Sequence, residues 1–509
     1  MERIRVIETH ISFVLLTGRF AYKIKKHLDL GFLDFTSLDK RHHFCDEELR
    51  LNSRLSPQIY LDVVPIGGTQ DAPRIGDGEG VMEYAVRMRE FDQHWLADRA
   101  LARGELLPRH VDALAQRIAD FHASVPRTDS RAGYGSPEAI RAPMEQNFAQ
   151  LRALAGNAAE RSALDSISDW SAREHARLEN TFERRVRDGW VRECHGDLHL
   201  GNIVLMDGEP QIFDCIEFNP NLRWIDVENE TAFLTMDFAE RGRSDLANRF
   251  LNACLEAGGD YEGLSVLRFY LVYRAVVRAK IARIRAQQDG IPAEASRVAL
   301  DAWTSYMGYA QRTMQPRDRA LLITHGLSGS GKTTVSQVLV EALGIVRIRS
   351  DVERKRLHGL AATVRSGSTV GAGAYTGSAT GATYRRLVKL ARQVLLAGFP
   401  VLLDATFLSR DQRDLVRDLA RDLAVPFLIL DCRAPEAVLR ARVAARERAG
   451  TDASEATRAV LDHQLRTVEA LGGAERADAL AIDTPDTQTA DLVRSVRRRL
   501  GYSLPAHAE

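Results

Sequence analysis

Residues 326–333, Gly-Leu-Ser-Gly-Ser-Gly-Lys-Thr, constrain the fold of this chain more than any other stretch. They satisfy G-x-x-x-x-G-K-[ST] at every position, after the apolar run Ala320–Thr324 and before helical sequence from Thr333. Glycines in such a loop let successive backbone N–H groups close around phosphate oxygens, and the following helix points its positive dipole end at the same anion. A strand, a glycine loop and a helix are therefore predicted in that order. Gly326, Leu327, Ser328, Gly329, Ser330, Gly331, Lys332, Thr333 and Thr334 should line a nucleoside triphosphate site. Lys332 would reach the β and γ oxygens, and the Thr333 hydroxyl would serve Mg²⁺.

The surrounding rhythm fits that loop. Strand candidates Ala320–Thr324, Val346–Ile348, Val401–Leu403, Phe427–Leu430 and Leu480–Ile482 alternate with helical stretches. Alternation of this kind predicts an α/β domain on a parallel, doubly wound sheet, whose ligand crevice lies at the carboxyl ends of the strands. Asp351 follows the second strand, placed to take a proton from an attacking hydroxyl. Arg354, one turn on, could steer a substrate anion. Asp404 follows the third strand, where a carboxylate would hold the magnesium shell. Arg442 and Arg446 share a helix face, either as arginines closing over a transferring phosphate or as a solvated face. The small-residue stretch 366–383 reads as a flexible loop. This half resembles P-loop kinases related to gluconate kinase, chloramphenicol phosphotransferase, zeta-type toxins and polynucleotide 5′-hydroxyl kinases, with Asp351–Arg354 and Asp404–Thr406 as the matching positions. The resemblance leaves the acceptor open.

A second constellation stands at 195–214. His195-Gly-Asp-Leu-His-Leu-Gly-Asn202 leads into two apolar runs, Ile203–Leu205 and Gln211–Phe213, around an Asp-Gly turn, with Asp214 after them. Two such runs about Asp-Gly predict a β-hairpin. Symmetric pairing about residue 208 would set Asn202 opposite Asp214, as two metal ligands at the hairpin's open end. Asp197 precedes Asn202 by five residues, the spacing of catalytic Asp and metal-binding Asn in kinase catalytic loops.

Upstream, Lys23 lies inside the apolar run Phe20–Ile24, where a charge is costly unless partnered. The helix after it, capped by Thr36 or Ser37, places Glu48 on a stripe with Phe44, Leu51 and Leu55, so Glu48 is preferred to Glu47 as that partner. Lys25 and Lys26 are rivals for Lys23. Short strands before residue 90 and helices from 108 onward predict an α+β, bilobal kinase-like domain. The region resembles the aminoglycoside phosphotransferase family on residues 195–202 and 212–214. That resemblance implies a catalytic Asp197, Asn202 and Asp214 as metal ligands, a Lys23–Glu48 pair, and ATP with Mg²⁺ as cofactors. Glu217, Asp226, Glu228 and Glu230 could contribute to cation binding or equally cap helices. The whole arrangement resembles bacterial bifunctional aminoglycoside phosphotransferase/ATP-binding proteins.

The polar segment Gln311–Arg319 reads as a linker, giving domains at 1–312 and 320–509 joined by 313–319. No apolar run approaches a membrane span, so no membrane partner is expected. Five scattered cysteines without CxxC spacing argue against a disulfide framework or zinc site and for a reducing cytoplasm. The chain carries 69 Lys+Arg against 69 Asp+Glu. Residues 318–509 hold a surplus of roughly +6, nearly all arginine. No aromatic series accompanies it for nucleic-acid stacking. The expectation is an ATP-dependent phosphotransferase with two ATP modules acting on small-molecule hydroxyls. The alternatives are an end-kinase or toxin-like C-terminal module, or one module that only senses nucleotide. Oligomeric state is not legible.

Overall fold

The computed structural model describes residues 4–502 apart from 30, 32, 77, 361–376 and 450–455. The chain folds as two compact units, one formed by Met1–Arg241 with Leu267–Met314 and the other by Gly242–Val266 with Gln315–Glu509.

The first unit begins with six antiparallel strands: β1 (Arg5–Glu8), β2 (Ser12–Leu16), β3 (Phe20–Lys25), β4 (Tyr60–Thr69), β5 (Ala72–Ile75) and β6 (Glu83–Arg89). Their order is β1-β2-β3-β6-β4-β5. Alternation along β3 puts Ala21, Lys23 and Lys25 on the buried face. The helix Leu38–Asn52 is capped by the Ser37 hydroxyl, which accepts from the Lys40 N–H. It packs on the sheet through Cys45, Glu48 and Leu51, all without solvent exposure. The glycine-rich stretch after residue 66 is not all loop, because Ile66–Thr69 and Ala72–Ile75 pair as a hairpin.

Helices then dominate. On Pro108–Ser124 a stripe of Val111, Leu114, Ile118 and Phe121 at helical spacing is buried. Between the helices lie β7 (Val191–Glu193), β8 (Ile203–Met206), β9 (Glu209–Ile212) and β10 (Trp224–Asp226), paired as β8–β9 and β7–β10. The helix Leu264–Ala286 contributes Phe269 and Tyr270 to a core shared with Phe182.

The second unit is built on β11 (Leu321–His325), β12 (Val346–Arg349), β13 (Val401–Asp404), β14 (Phe427–Arg433) and β15 (Ala479–Asp483), all parallel in the order β12-β13-β11-β14-β15. Strands covered on both faces become continuous apolar runs, and all five residues of β11 are buried. Residues 377–383, read from sequence as the end of a flexible loop, are helical within Gly377–Leu396, while 366–376 lie outside the described residues.

The predicted single cut at 313–319 differs from the structure in one respect. Residues 242–266 belong with the second unit. The Asn252 side chain accepts from the Arg347 N–H (2.7 Å) and donates to the Ile345 carbonyl (3.4 Å), occupying backbone groups of the edge strand β12. Glu256 pairs with Arg347 (3.4 Å) and Arg349 (3.1 Å). The helix Ser244–Gly258 thus covers a sheet edge that would otherwise lie open.

Candidate active sites

In the second unit, the glycine loop leaves β11 and enters the helix Lys332–Leu343. None of its three glycines, Gly326, Gly329 and Gly331, can be replaced without strain. Gly326 has φ +138° and a Cβ there would lie 2.4 Å from the Cys432 carbonyl oxygen, while Gly331 has φ +88° against Thr484. The Lys332 ammonium curls back onto the carbonyls of Gly326 (3.0 Å) and Leu327 (2.7 Å). Burial pulls its pKa down, with Asp404 opposing. The Thr333 hydroxyl donates to Asp404 at 3.0 Å, and Ser336 donates to the same carboxylate oxygen at 3.2 Å.

A cavity of about 310 Å³ opens over this loop. Asp351, Arg354, Asp404, Arg442 and Arg446 all line it together with Lys332, Thr333 and Thr334. Arg354 pairs with Asp351 at 3.2 Å, so the residue expected to steer an anion also holds the candidate base. Arg442 donates to the Gly329 carbonyl (3.2 Å) and the Thr484 hydroxyl (3.1 Å). Arg349, Tyr384 and Gln464 line the cavity too and were not anticipated. Arg349 could have been found beside Asp351, whereas Tyr384 was hidden behind the stretch read as loop. A second cavity of about 220 Å³ borders Gly331 and Thr334 and is walled by Ile482 of β15 and by Thr484 and Thr487 after it, which no motif marked.

In the first unit the hairpin register differs by one residue from the expected one. Asp207 (φ +53°) and Gly208 (φ +79°) form a two-residue turn, so Met206 faces Glu209 and Ile203 faces Ile212. The symmetry centre lies between 207 and 208. Asn202 accordingly pairs with Phe213, whose N–H donates to the Asn202 carbonyl at 3.0 Å, and not with Asp214. Asp214 comes next, in the left-handed region at φ +66°, which re-aims its carboxylate.

That carboxylate meets Lys23 Nζ at 2.5 Å, and the same ammonium donates to Glu48 at 2.7 Å. Glu48 also accepts from Lys25 at 2.8 Å, and Lys25 reaches Glu217. Lys26 points instead to Glu8, and Glu47 to Arg50. Burial alone would lower Lys23, but Asp214 and Glu48 outweigh it and hold the ammonium well above its usual pKa. Tyr60 adds an anchor, its hydroxyl accepting from the Asp214 N–H at 3.1 Å.

Asp197 sits five residues before Asn202 on a loop pinned from several sides. Asn202 Nδ2 donates to the Asp197 carboxylate (3.1 Å) and carbonyl (3.0 Å). Glu230 accepts from the N–H groups of His195 (2.7 Å) and Gly196 (2.8 Å), and Asp237 accepts from that of Leu200 (2.8 Å). Burial opposes ionisation of Asp197, yet His199 at 3.4 Å, Arg278 and His195 hold its carboxyl below the usual range. Glu230, His199, Asp237 and Tyr60 support the site, but no spacing in the sequence singled them out.

Residues 35–270 match the phosphotransferase enzyme family and residues 321–471 match an AAA domain. Over 458 residues, 90% of this chain and 89% of theirs, the chain is 31% identical to "Uncharacterized protein Rv2004c" of Mycobacterium tuberculosis and "Uncharacterized protein Mb2027c" of Mycobacterium bovis. Among solved structures it is similar to a gluconokinase from Sinorhizobium meliloti 1021 (22% identity, 36% of this chain and 93% of that one, TM-score 0.26). It is also similar to the amicoumacin kinase hAmiN in complex with AMP-PNP, Ca²⁺ and Ami (12% identity, 62% and 91%, TM-score 0.38). The chain belongs to one family with the mycobacterial proteins, and it is an ATP-dependent kinase that joins a domain matching the phosphotransferase enzyme family to a P-loop domain matching an AAA domain.

Proposed function

We propose that this kinase has two phosphoryl-transfer sites, each using Mg²⁺-ATP and each acting on a hydroxyl of a small molecule. The observation that carries the reading is the meeting of Lys23, Glu48 and Asp214 at 2.7 and 2.5 Å, across 191 residues of sequence. Burying the ammonium of Lys23 and the carboxylate of Glu48 costs desolvation, and charges perturbed in this way cluster at functional sites.

The donors available suit a hard cation. Asp214 and the Asn202 side-chain oxygen offer carboxylate and carboxamide oxygen in one site, and Thr333 and Asp404 offer hydroxyl and carboxylate oxygen in the other. When bound, Mg²⁺ neutralises charge on the β and γ phosphate oxygens. Lys23, steered by Glu48, would hold the phosphates in the first site. Asp197 would accept the proton of the acceptor hydroxyl as its oxygen bonds to the γ-phosphorus. The bond from that phosphorus to the β-phosphate oxygen breaks, and ADP leaves with the electron pair. In the second site Asp351 would act as the base, Lys332 and the loop N–H groups would cradle the phosphates, and Arg442 and Arg446 would close over them. The cavity beside Ile482 and Thr484 would take the nucleoside. A reducing cytoplasm as its compartment is supported by five scattered cysteines without CxxC spacing.

The test is ATP consumption with a metabolite extract as acceptor source, followed by identification of new phosphate esters. Lys332→Ala and Asp197→Ala should each remove a separable set of products. If one variant removed all turnover and the other none, the two-site reading would be wrong. Esters formed only on oligonucleotides would point the second site to nucleic-acid ends.

A further inference from the structure

The acidic residues that follow Asp214 in sequence are the ones a polycationic acceptor would need, and the structure commits them elsewhere. Glu217 pairs with Lys25. Asp226 is held by Arg185 Nε and Nη2 at 2.5 and 2.8 Å and caps the next helix. Glu230 is bound to His122 at 2.7 Å and to two loop N–H groups. Asp237 is shared by the Leu200 N–H and Arg241. Glu228 is buried, at 3% exposure.

The helix Leu264–Ala286, beside the Asp197 loop, carries arginine and lysine and no acidic residue. His199 lies 3.4 Å from the Asp197 carboxylate, which keeps about a third of its side chain open to solvent. On that helix Arg274 donates to the Gly196 carbonyl at 3.0 Å and to Asn229 at 2.7 Å. Arg278 is one turn further on and shares that face. Its charge helps keep Asp197 ionised, and Tyr306 accepts from its Nε at a long 3.5 Å. Arg274 is spent on the loop, whereas Arg278, which also feels the charge of the buried Asp237, has a guanidinium fork suited to two oxygens of one anion.

We propose that the acceptor at Asp197 carries an anionic group, a carboxylate or a phosphate, near its reactive hydroxyl, that Arg278 binds this group, and that amine-rich acceptors are disfavoured by the same charges. The proposal rests on the reading of Asp197 as the base of the first transfer site. Orientation by Arg278 places the hydroxyl, and the transfer itself proceeds as above, with the hydroxyl proton passing to Asp197.

The full chain carrying Lys332→Ala isolates this site. Three acceptor pools are offered: hydroxy acids, sugar phosphates, and amine-bearing polyols including kanamycin. Binding is read by ligand-observed NMR with AMP-PNP present, and ester formation is read with ATP. Members of one or both acidic pools should bind and be phosphorylated, and which pool responds tells carboxylate from phosphate. Arg278→Gln should raise KM for them about tenfold to a hundredfold and lower kcat by a smaller factor, and Arg278→Lys should restore part of both losses. Binding of no acidic compound, equal or better use of the amine pool, or an unchanged KM in Arg278→Gln each overturns the proposal. Unfolding curves for the three chains separate a folding defect from a binding one. The underlying reading fails by a different sign, ATP turnover in the Lys332→Ala chain that survives Asp197→Asn.

Discussion

Glu48 accepts hydrogen bonds from two buried lysines at once, and the two lysines have different further partners. Lys23 shares Asp214, whose side chain is 45% exposed, whereas Lys25 shares Glu217, which is enclosed. The difference predicts different phenotypes. Lys23→Ala should abolish turnover at the Asp197 site with little change in stability, and Lys25→Ala should chiefly destabilise the fold by leaving Glu217 unpaired. Glu48→Gln should cost about 3–5 kcal/mol in chemical denaturation, because it removes the shared counter-charge of two buried ammonium groups. A second residue-scale effect concerns His195, which has no exposure and whose pKa is lowered by burial. A base kept neutral in the fold binds fewer protons than in the unfolded chain, so stability rises with pH. Its contribution should be intact above the ordinary histidine value and decline as pH falls below roughly 6.5. Asp197 and Glu48, both depressed, should add a further loss below the ordinary carboxylate range of about 4. Melting temperature against pH checks both, and His195→Gln should flatten only the upper part.

The element that reorganises the expected domain map is the helix Ser244–Gly258. Its sequence belongs to a run of helices within the first half, and amphipathicity reveals that it packs but not on what. Asn252 and Glu256 settle the matter through edge strand β12, which leads directly into Asp351. Asn252→Ala leaves the Arg347 N–H and the Ile345 carbonyl without that partner and should cost about 1–3 kcal/mol. Hydrogen exchange at β12 should rise in the variant while exchange at β3 stays unchanged. Residues 315–509 expressed without 242–266 should aggregate more readily than the full chain, since a bare edge strand invites pairing with other chains. The hairpin β8–β9 teaches a smaller lesson at the same scale. Asp-Gly marked the turn, but a two-residue turn has its centre between residues, and the one-residue difference moved Asn202 off Asp214.

Across the whole chain, two candidate phosphate-handling sites were legible because each is written in a short segment with strict local demands. A glycine loop needs φ values that only glycine adopts freely, and a catalytic hairpin needs its turn residues, so Gly326–Thr333 and His195–Asp214 stand out in any reading. The doubly wound sheet followed from strand–helix alternation for the same reason. At this scale the Asp197→Ala, Lys332→Ala double variant should lose all ATP turnover, while each single variant keeps the other site's products. What stayed hidden is long-range. Which lysine meets Glu48, which acids near Asp214 are already neutralised, where residues 242–266 pack, and which arginines stand beside Asp197 all depend on side chains far apart in sequence. The amino-acid order alone determined the phosphate loop, the hairpin turn and the alternation of elements, through backbone conformation and residue period. Only the tertiary structure decided which charges cancel and which remain for a substrate, because the energy of a buried charge is set by neighbours that folding brings to it.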